Sequence, residues 1–134
     1  MICVLDACAM IALLRGEPGE DVVWTHLCDP ASACYAHALN LCEVYYDFYR
    51  VGGEAVARSA INDLKYLGVS ERNDLDEAFW QEVGRVKAIY RKVSLADCCA
   101  LALAARLGGS LLTSDHHEFD ALAALGNWPI VFIR

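Results

Sequence analysis

Apolar residues in this chain fall in short dense runs separated by amphipathic stretches. Ile2 to Leu5 is a four-residue run with strand character, and Ala7 to Leu14 follows as an almost wholly apolar stretch suited to a buried helix. Arg15-Gly16-Glu17-Pro18-Gly19 closes it. Glu20 to Cys28 reads as a short helix, and a second brief apolar run lies around Ala33-Cys34-Tyr35. Asn40 to Arg50 predicts a helix ended by Gly52-Gly53. Ala55 to Leu67 sets Val56, Ala60, Ile61, Leu64 and Leu67 at helical spacing before the stop signal Gly68, and Val69-Ser70 suits a minimal strand. From Leu75 to about Tyr90 a helix carries Phe79, Val83, Val86 and Tyr90 on one face. Ser94 to Leu107 is another, closed by Gly108-Gly109. Ser110 to Thr113 is strand-like, His116 to Leu125 helix-like, and Ile130 to Ile133 a last short strand.

Short apolar strands separated by helices, without the alternation of a half-exposed sheet, imply an α/β fold with a parallel sheet covered on both faces. In such sheets ligands bind beyond the carboxyl ends of the strands. No linker, repeat or low-complexity tract divides the chain, so residues 1–134 are expected to form a single domain. Composition agrees, with 57% hydrophobic and 22% charged residues over 134 positions. At this size folding should leave roughly 7,000 Å² of surface exposed, enough burial for a core without staples. The longest apolar run, Cys98 to Ala105, is far short of the ~18 residues of a membrane span, so no membrane association is expected. The first residues lack the basic flank of a secretory signal, and a cytoplasmic location is the expectation. The seven cysteines contain no C-x-x-C pair and read as reduced, mostly buried thiols.

Four carboxylates stand where strands end or helices begin: Asp6, Glu43, Asp97 and Asp115. Each has a plain structural account. Asp6 suits an N-cap, while Asn40-Leu-Cys-Glu43, Ser94-Leu-Ala-Asp97 and Asp115-His-His-Glu118 have the form of capping boxes. Taken together they imply more, because a parallel sheet gathers its strand ends and helix starts on one edge. Carboxylates converging there repel, and a hard divalent cation such as Mg²⁺ or Mn²⁺ is the natural counter-charge.

Val4-Leu5-Asp6 with its apolar helix, Leu14-Arg-Gly-Glu-Pro18, Asn40-Leu-Cys-Glu43, Leu95-Ala-Asp97-Cys-Cys-Ala-Leu-Ala-Leu-Ala104 and Leu111-Leu-Thr-Ser-Asp115 resemble, in order, the acidic motifs of PIN-domain nucleases. The resemblance is to the small single-domain toxins of the VapC type and spans essentially the whole chain. It implies a PIN-like three-layer α/β/α fold around a short, mainly parallel sheet. It also implies a Mg²⁺- or Mn²⁺-dependent endoribonuclease, the toxin of a type II toxin-antitoxin pair, with Asp6, Glu43, Asp97 and Asp115 as both metal and catalytic residues. Asp6, Asp97 and Asp115 would bind the metal directly or through water, and Glu43 would hold or deprotonate the attacking water. Thr113 matches the Thr two positions before the last acidic residue. Where the family often has a hydroxyl or amide residue after its first Asp, this chain has Ala7 and Cys8, which are left out of the site. The expected partners are an RNA substrate, a second copy in a homodimer and a cognate antitoxin.

The alternative is a metal-free or degenerate PIN-like binding module in which the acids only cap helices. A phosphoaspartyl enzyme built on Asp6 would need an acid where Cys8 stands, and a receiver-type switch would need a late Lys, yet none follows Lys92. No cysteine or serine is set up as a covalent nucleophile. The net charge of −7 opposes a broad basic nucleic-acid surface, leaving Arg15, Arg50, Arg91 and Lys92 as candidates to line an RNA approach. His116-His117 invites a zinc reading, but adjacent helical residues point ~100° apart and seldom chelate one ion. His37 is a candidate neighbour of substrate without an evident partner. Tyr45, Tyr46, Phe48 and Tyr49 form an aromatic group, mostly core, whose surplus face suits a dimer or partner surface.

Overall fold

The computed structural model describes residues 1–134, with 6839 Å² of exposed surface. Five strands alternate with six helices: β1 (Ile2–Leu5), α1 (Ala7–Arg15), α2 (Glu20–Cys28), β2 (Ala33–His37), α3 (Ala38–Leu67), β3 (Val69–Arg72), α4 (Glu77–Ile89), α5 (Leu95–Leu107), β4 (Ser110–Thr113), α6 (His116–Ala124) and β5 (Ile130–Phe132). The strands form one sheet in the order β3-β2-β1-β4-β5, and every neighbouring pair is parallel. The expected mainly parallel sheet is therefore wholly parallel.

Side chains of successive strand residues point to opposite faces. Cys3, Leu5 and Leu112 enter a core shared with Met10 of α1, Val23 of α2 and Leu64 of α3. Val4 and Leu111 enter a second core with Phe79 and Val83 of α4, Leu101 and Leu103 of α5, and Phe119 of α6. Helix α5 is buried at every position from Asp97 to Ala104, which explains why the longest apolar run has no polar face.

Two local expectations are revised. Helix α3 starts at Ala38 with His37 as its cap, the ring Nδ1 accepting from the Leu39 N–H at 3.1 Å, so Asn40-Leu-Cys-Glu43 is not a capping box. The cap lies upstream because the buried His37 ring is held by tertiary contacts: Nε2 donates to the Asp74 carbonyl at 2.9 Å and the ring stacks on Phe79. His37 is thus a strut inside the fold, away from any substrate surface. The break expected at Gly52-Gly53 is present as a kink within α3, with a helical segment on either side as the spacing of Ala55 to Leu67 predicts. Only Gly53 leaves the helical region, at φ 81° and ψ −171°, a conformation glycine adopts without strain.

Chain order runs outward from β1 to β3, crosses back through α4 and α5, and continues from β4 to β5. The direction of winding reverses between β1 and β4, where this class of sheet opens its ligand crevice. Close approach of those two strands depends on Gly109, where an added Cβ would come within 2.5 Å of the Ile2 carbonyl oxygen. Gly109→Ala should therefore destabilise the protein by about 1 to 3 kcal/mol, read as a lower chemical-denaturation midpoint.

Candidate active site

Asp6 follows β1 directly and caps α1, its Oδ1 accepting from the Ala9 N–H at 2.9 Å. Asp115 lies two residues beyond β4 and caps α6, accepting from the Glu118 N–H at 2.9 Å. Its own N–H donates to the Thr113 hydroxyl at 3.0 Å, so buried Thr113 fixes the turn that presents this carboxylate. Asp97 sits in the first turn of α5, whose cap is Ser94: the hydroxyl accepts from the Asp97 N–H at 3.2 Å. Glu43 is one turn inside α3. The buried Asn40 amide, on the same helix, donates to the Ala96 carbonyl at 3.2 Å and ties α3 to the start of α5.

A reciprocal capping box would turn the Asp97 side chain back onto the Ser94 N–H. That N–H instead donates to Glu118 of α6, at 3.3 Å. The substitution leaves the Asp97 carboxylate out of the cap and brings Glu118 beside it. Carboxylate oxygens of Asp97, Asp115 and Glu118 all lie within 4.8 Å of one another. Asp6 and Glu43 border this group, close enough that their charges act on its members. All four acids singled out in the sequence are brought to one place. The fifth, Glu118, carried a signal only as the end of an apparent capping box, and its reach across to α5 is a tertiary event.

The electrostatics are those of crowded acids out of water. Asp6 is fully buried, and desolvation pushes its carboxyl up to about 7 despite the nearby Thr113 hydroxyl and the hydrogen bond from the Ala9 N–H. Asp97 is driven well above the usual carboxylate range by burial first and by adjacent Glu118 second. Glu43 is raised by burial, then by the charges of Glu118 and Asp115. One oxygen of Asp6 and one of Glu43 are buried without a hydrogen-bond donor in the protein. Such oxygens are costly unless a cation or proton compensates them, and a hard divalent ion suits an all-oxygen donor set. The three helix N-termini at the site contribute partial positive charge in the same sense.

Neighbouring features take other roles. His116 stacks on Phe132, with Nδ1 at 2.7 Å from Asp120 and Nε2 at 2.7 Å from the Arg134 carbonyl, so both ring nitrogens are engaged. Arg15 and Arg50 share one carboxylate, Asp47, at 2.8 and 3.1 Å, which offsets one of their two charges. Phe48 is partly buried beneath Arg15, while Tyr46 and Tyr49 stay about half exposed.

A PIN domain model matches residues 3–125, and the chain belongs to the PIN domain family. No curated protein sequence matches it. Among solved structures it is similar to VapBC-1 from nontypeable Haemophilus influenzae, at 17% identity and TM-score 0.75, covering 99% of this chain and 98% of that one. VapBC2 from Rickettsia felis, bound to a DNA fragment from its promoter, gives 13% identity and TM-score 0.72, with 98% of each chain covered. VapC20 from Mycobacterium tuberculosis, a Sarcin-Ricin loop cleaving toxin, gives 17% identity and TM-score 0.64, covering 94% of this chain and 95% of that one. At these identities the likeness is one of fold.

The raised acids set a pH dependence for the metal-free protein. Asp6 binds its proton more tightly folded than unfolded, so its stabilisation is complete below about pH 4 and is lost as pH rises through about 7. In chelator the melting temperature should fall between about pH 5 and pH 8. Asp6→Asn keeps a capping oxygen and removes the charge. It should flatten that fall and melt no lower than the wild type at the upper end.

Proposed function

We propose that this protein is a divalent-metal-dependent endoribonuclease, the toxin of a toxin-antitoxin pair, acting through Asp6, Glu43, Asp97, Asp115 and Glu118. The observation that carries the reading is the meeting of these carboxylates at the β1/β4 reversal, with buried Asp6 and Glu43 oxygens that have no donor in the protein. Asp97, Asp115 and Glu118 would hold the cation, with Asp6 closing the buried side. A bound Mg²⁺ or Mn²⁺ would offset charge on the phosphoryl oxygens and ease deprotonation of water at neutral pH. Glu43, half-buried and with its carboxyl raised by burial, would accept a proton from the attacking water. Thr113 and Ser94 orient Asp115 and α5, and Asn40 keeps α3 in register with them.

Calorimetric titration with Mn²⁺ should show binding near neutral pH, weakened by Asp97→Asn and by Glu118→Gln. Asp115→Asn should lower metal-dependent RNA cleavage by more than the ~10- to 100-fold caused by loss of an outer-shell partner. Undiminished cleavage by that variant would end the proposal. Metal binding without cleavage would leave a binding module.

The partners follow from the same reading. The similar structures include toxin-antitoxin complexes, and an uncontrolled ribonuclease needs an inhibitor. Tyr46 and Tyr49, three residues apart on α3, expose adjacent aromatic surface, which suits a second copy of the chain. Light scattering should give a mass near twice 14.7 kDa, and Tyr49→Glu should lower it towards that of one chain. Expression of the chain alone should slow growth, and the Asp6→Asn protein should not.

A further inference from the structure

Eight of the eleven Lys and Arg side chains lie within ion-pair distance of a carboxylate. The three that do not are Lys87, Arg91 and Lys92, adjacent cations at the end of α4 and in the turn that follows. Lys87 Nζ donates to the Arg91 and Val93 carbonyls, each at 2.8 Å, and so pins that turn to the helix. Arg91 and Lys92 are exposed, and their side chains make no hydrogen bond within the protein.

Both line a cleft of about 510 Å³ whose walls also include Tyr90, His117 and Glu118. Glu118 belongs to the cleft and to the acid group alike, so the cleft opens directly beside the three converging carboxylates. In a chain of net charge −7, the free cations are gathered next to the densest negative charge instead of being scattered as surface counter-ions. A volume in the ~300–1,000 Å³ range of small-ligand sites admits one nucleotide. Arg forks phosphate oxygens bidentately and Lys binds them as a point charge.

We infer that the Arg91-Lys92 turn and its cleft form the subsite for the nucleotide flanking the scissile phosphodiester, gripping the flanking phosphate while the acid group takes the scissile one. This rests on the nuclease reading above. Its physical role is to supply the local attraction that the rest of the surface denies to a polyanion. Lys87 is a positioning residue, since its charge is spent on the backbone of the turn.

The test measures binding of a fluorescently labelled single-stranded RNA by anisotropy in chelator, where cleavage is absent, together with cleavage in Mn²⁺. Arg91→Ala combined with Lys92→Ala should melt like the wild type. It should bind RNA more weakly, with a slope of log affinity against log salt shallower by about 0.7, the value for one single-strand phosphate contact. KM for cleavage should rise in parallel. Arg58→Ala combined with Arg85→Ala, which removes the same charge from ion-paired surface sites, should leave both affinity and slope unchanged. If the wild type cleaves RNA but the Arg91/Lys92 variant keeps its affinity, slope and KM, the subsite is overturned and the nuclease reading stands. If the variant loses affinity and slope while the wild type cleaves nothing, the turn is an RNA-phosphate contact only, and both the nuclease reading and the place of the turn beside a scissile bond are overturned. A variant that loses affinity for a polyglutamate peptide and none for RNA would overturn the subsite in favour of an acidic protein segment.

Discussion

The structure is organised around one unfavourable interaction, the crowding of carboxylates at a largely dry sheet edge. Like charges a few ångströms apart in a low-dielectric setting repel strongly, and burial penalises each of them separately. The fold tolerates them through three devices. Helices α1, α5 and α6 direct N-terminal partial charges at the cluster. The N–H groups of Ala9 and Glu118 are spent on Asp6 and Asp115. Burial also favours the protonated forms of Asp6 and Asp97, whose carboxyls are raised. A cation would offset the same repulsion more completely.

Holding acids against their repulsion requires rigid support, and each supporting contact comes from a different layer. Helix α5, enclosed along eight consecutive residues, keeps Asp97 in place. Asn40 clamps α3 to the Ala96 carbonyl at the head of that helix. His37 locks the start of α3 to the segment leading into α4, where Asp74 also receives Arg72 and Arg106 at 2.9 Å each. That exposed network draws Asp74 down to about 2, chiefly through Arg72. It borders the second core, remote from the acid cluster in chemistry: cations pair acids there, while at the β1/β4 edge none does.

The contrast bears on how a polyanion could approach an acidic protein. Net charge describes the far field, screened beyond roughly 8–10 Å at ordinary salt. Near the site the arrangement of individual charges governs, and the surface separates paired cations from free ones. Arg15 and Arg50 share Asp47, which halves their net field, whereas the turn after α4 has no carboxylate partner.

The alternation of short apolar runs and helices, with no polar face on the strands, determined the α/β class and the element order from sequence alone, because burial on both faces leaves a direct mark on composition. The same order implied that Asp6, Glu43, Asp97 and Asp115 share an edge, since strand ends in a parallel sheet do so whatever the details. What local pattern misassigned were contacts whose partners are remote in sequence. Asn40 looked like a cap and is a clamp between helices; His37 looked free and is enclosed. The break at Gly53 and the helix beyond it were legible, because the glycine pair and the apolar spacing of Ala60 and Leu64 are local signals. Glu118 looked like the end of its own capping box and bonds instead to the Ser94 N–H, 24 residues away. Tertiary structure alone decided which hydrogen bonds in these boxes were made at home and which across the fold. A capping motif specifies donors and acceptors within one turn, whereas the carboxylate that satisfies them is whichever one the packed helices bring within reach.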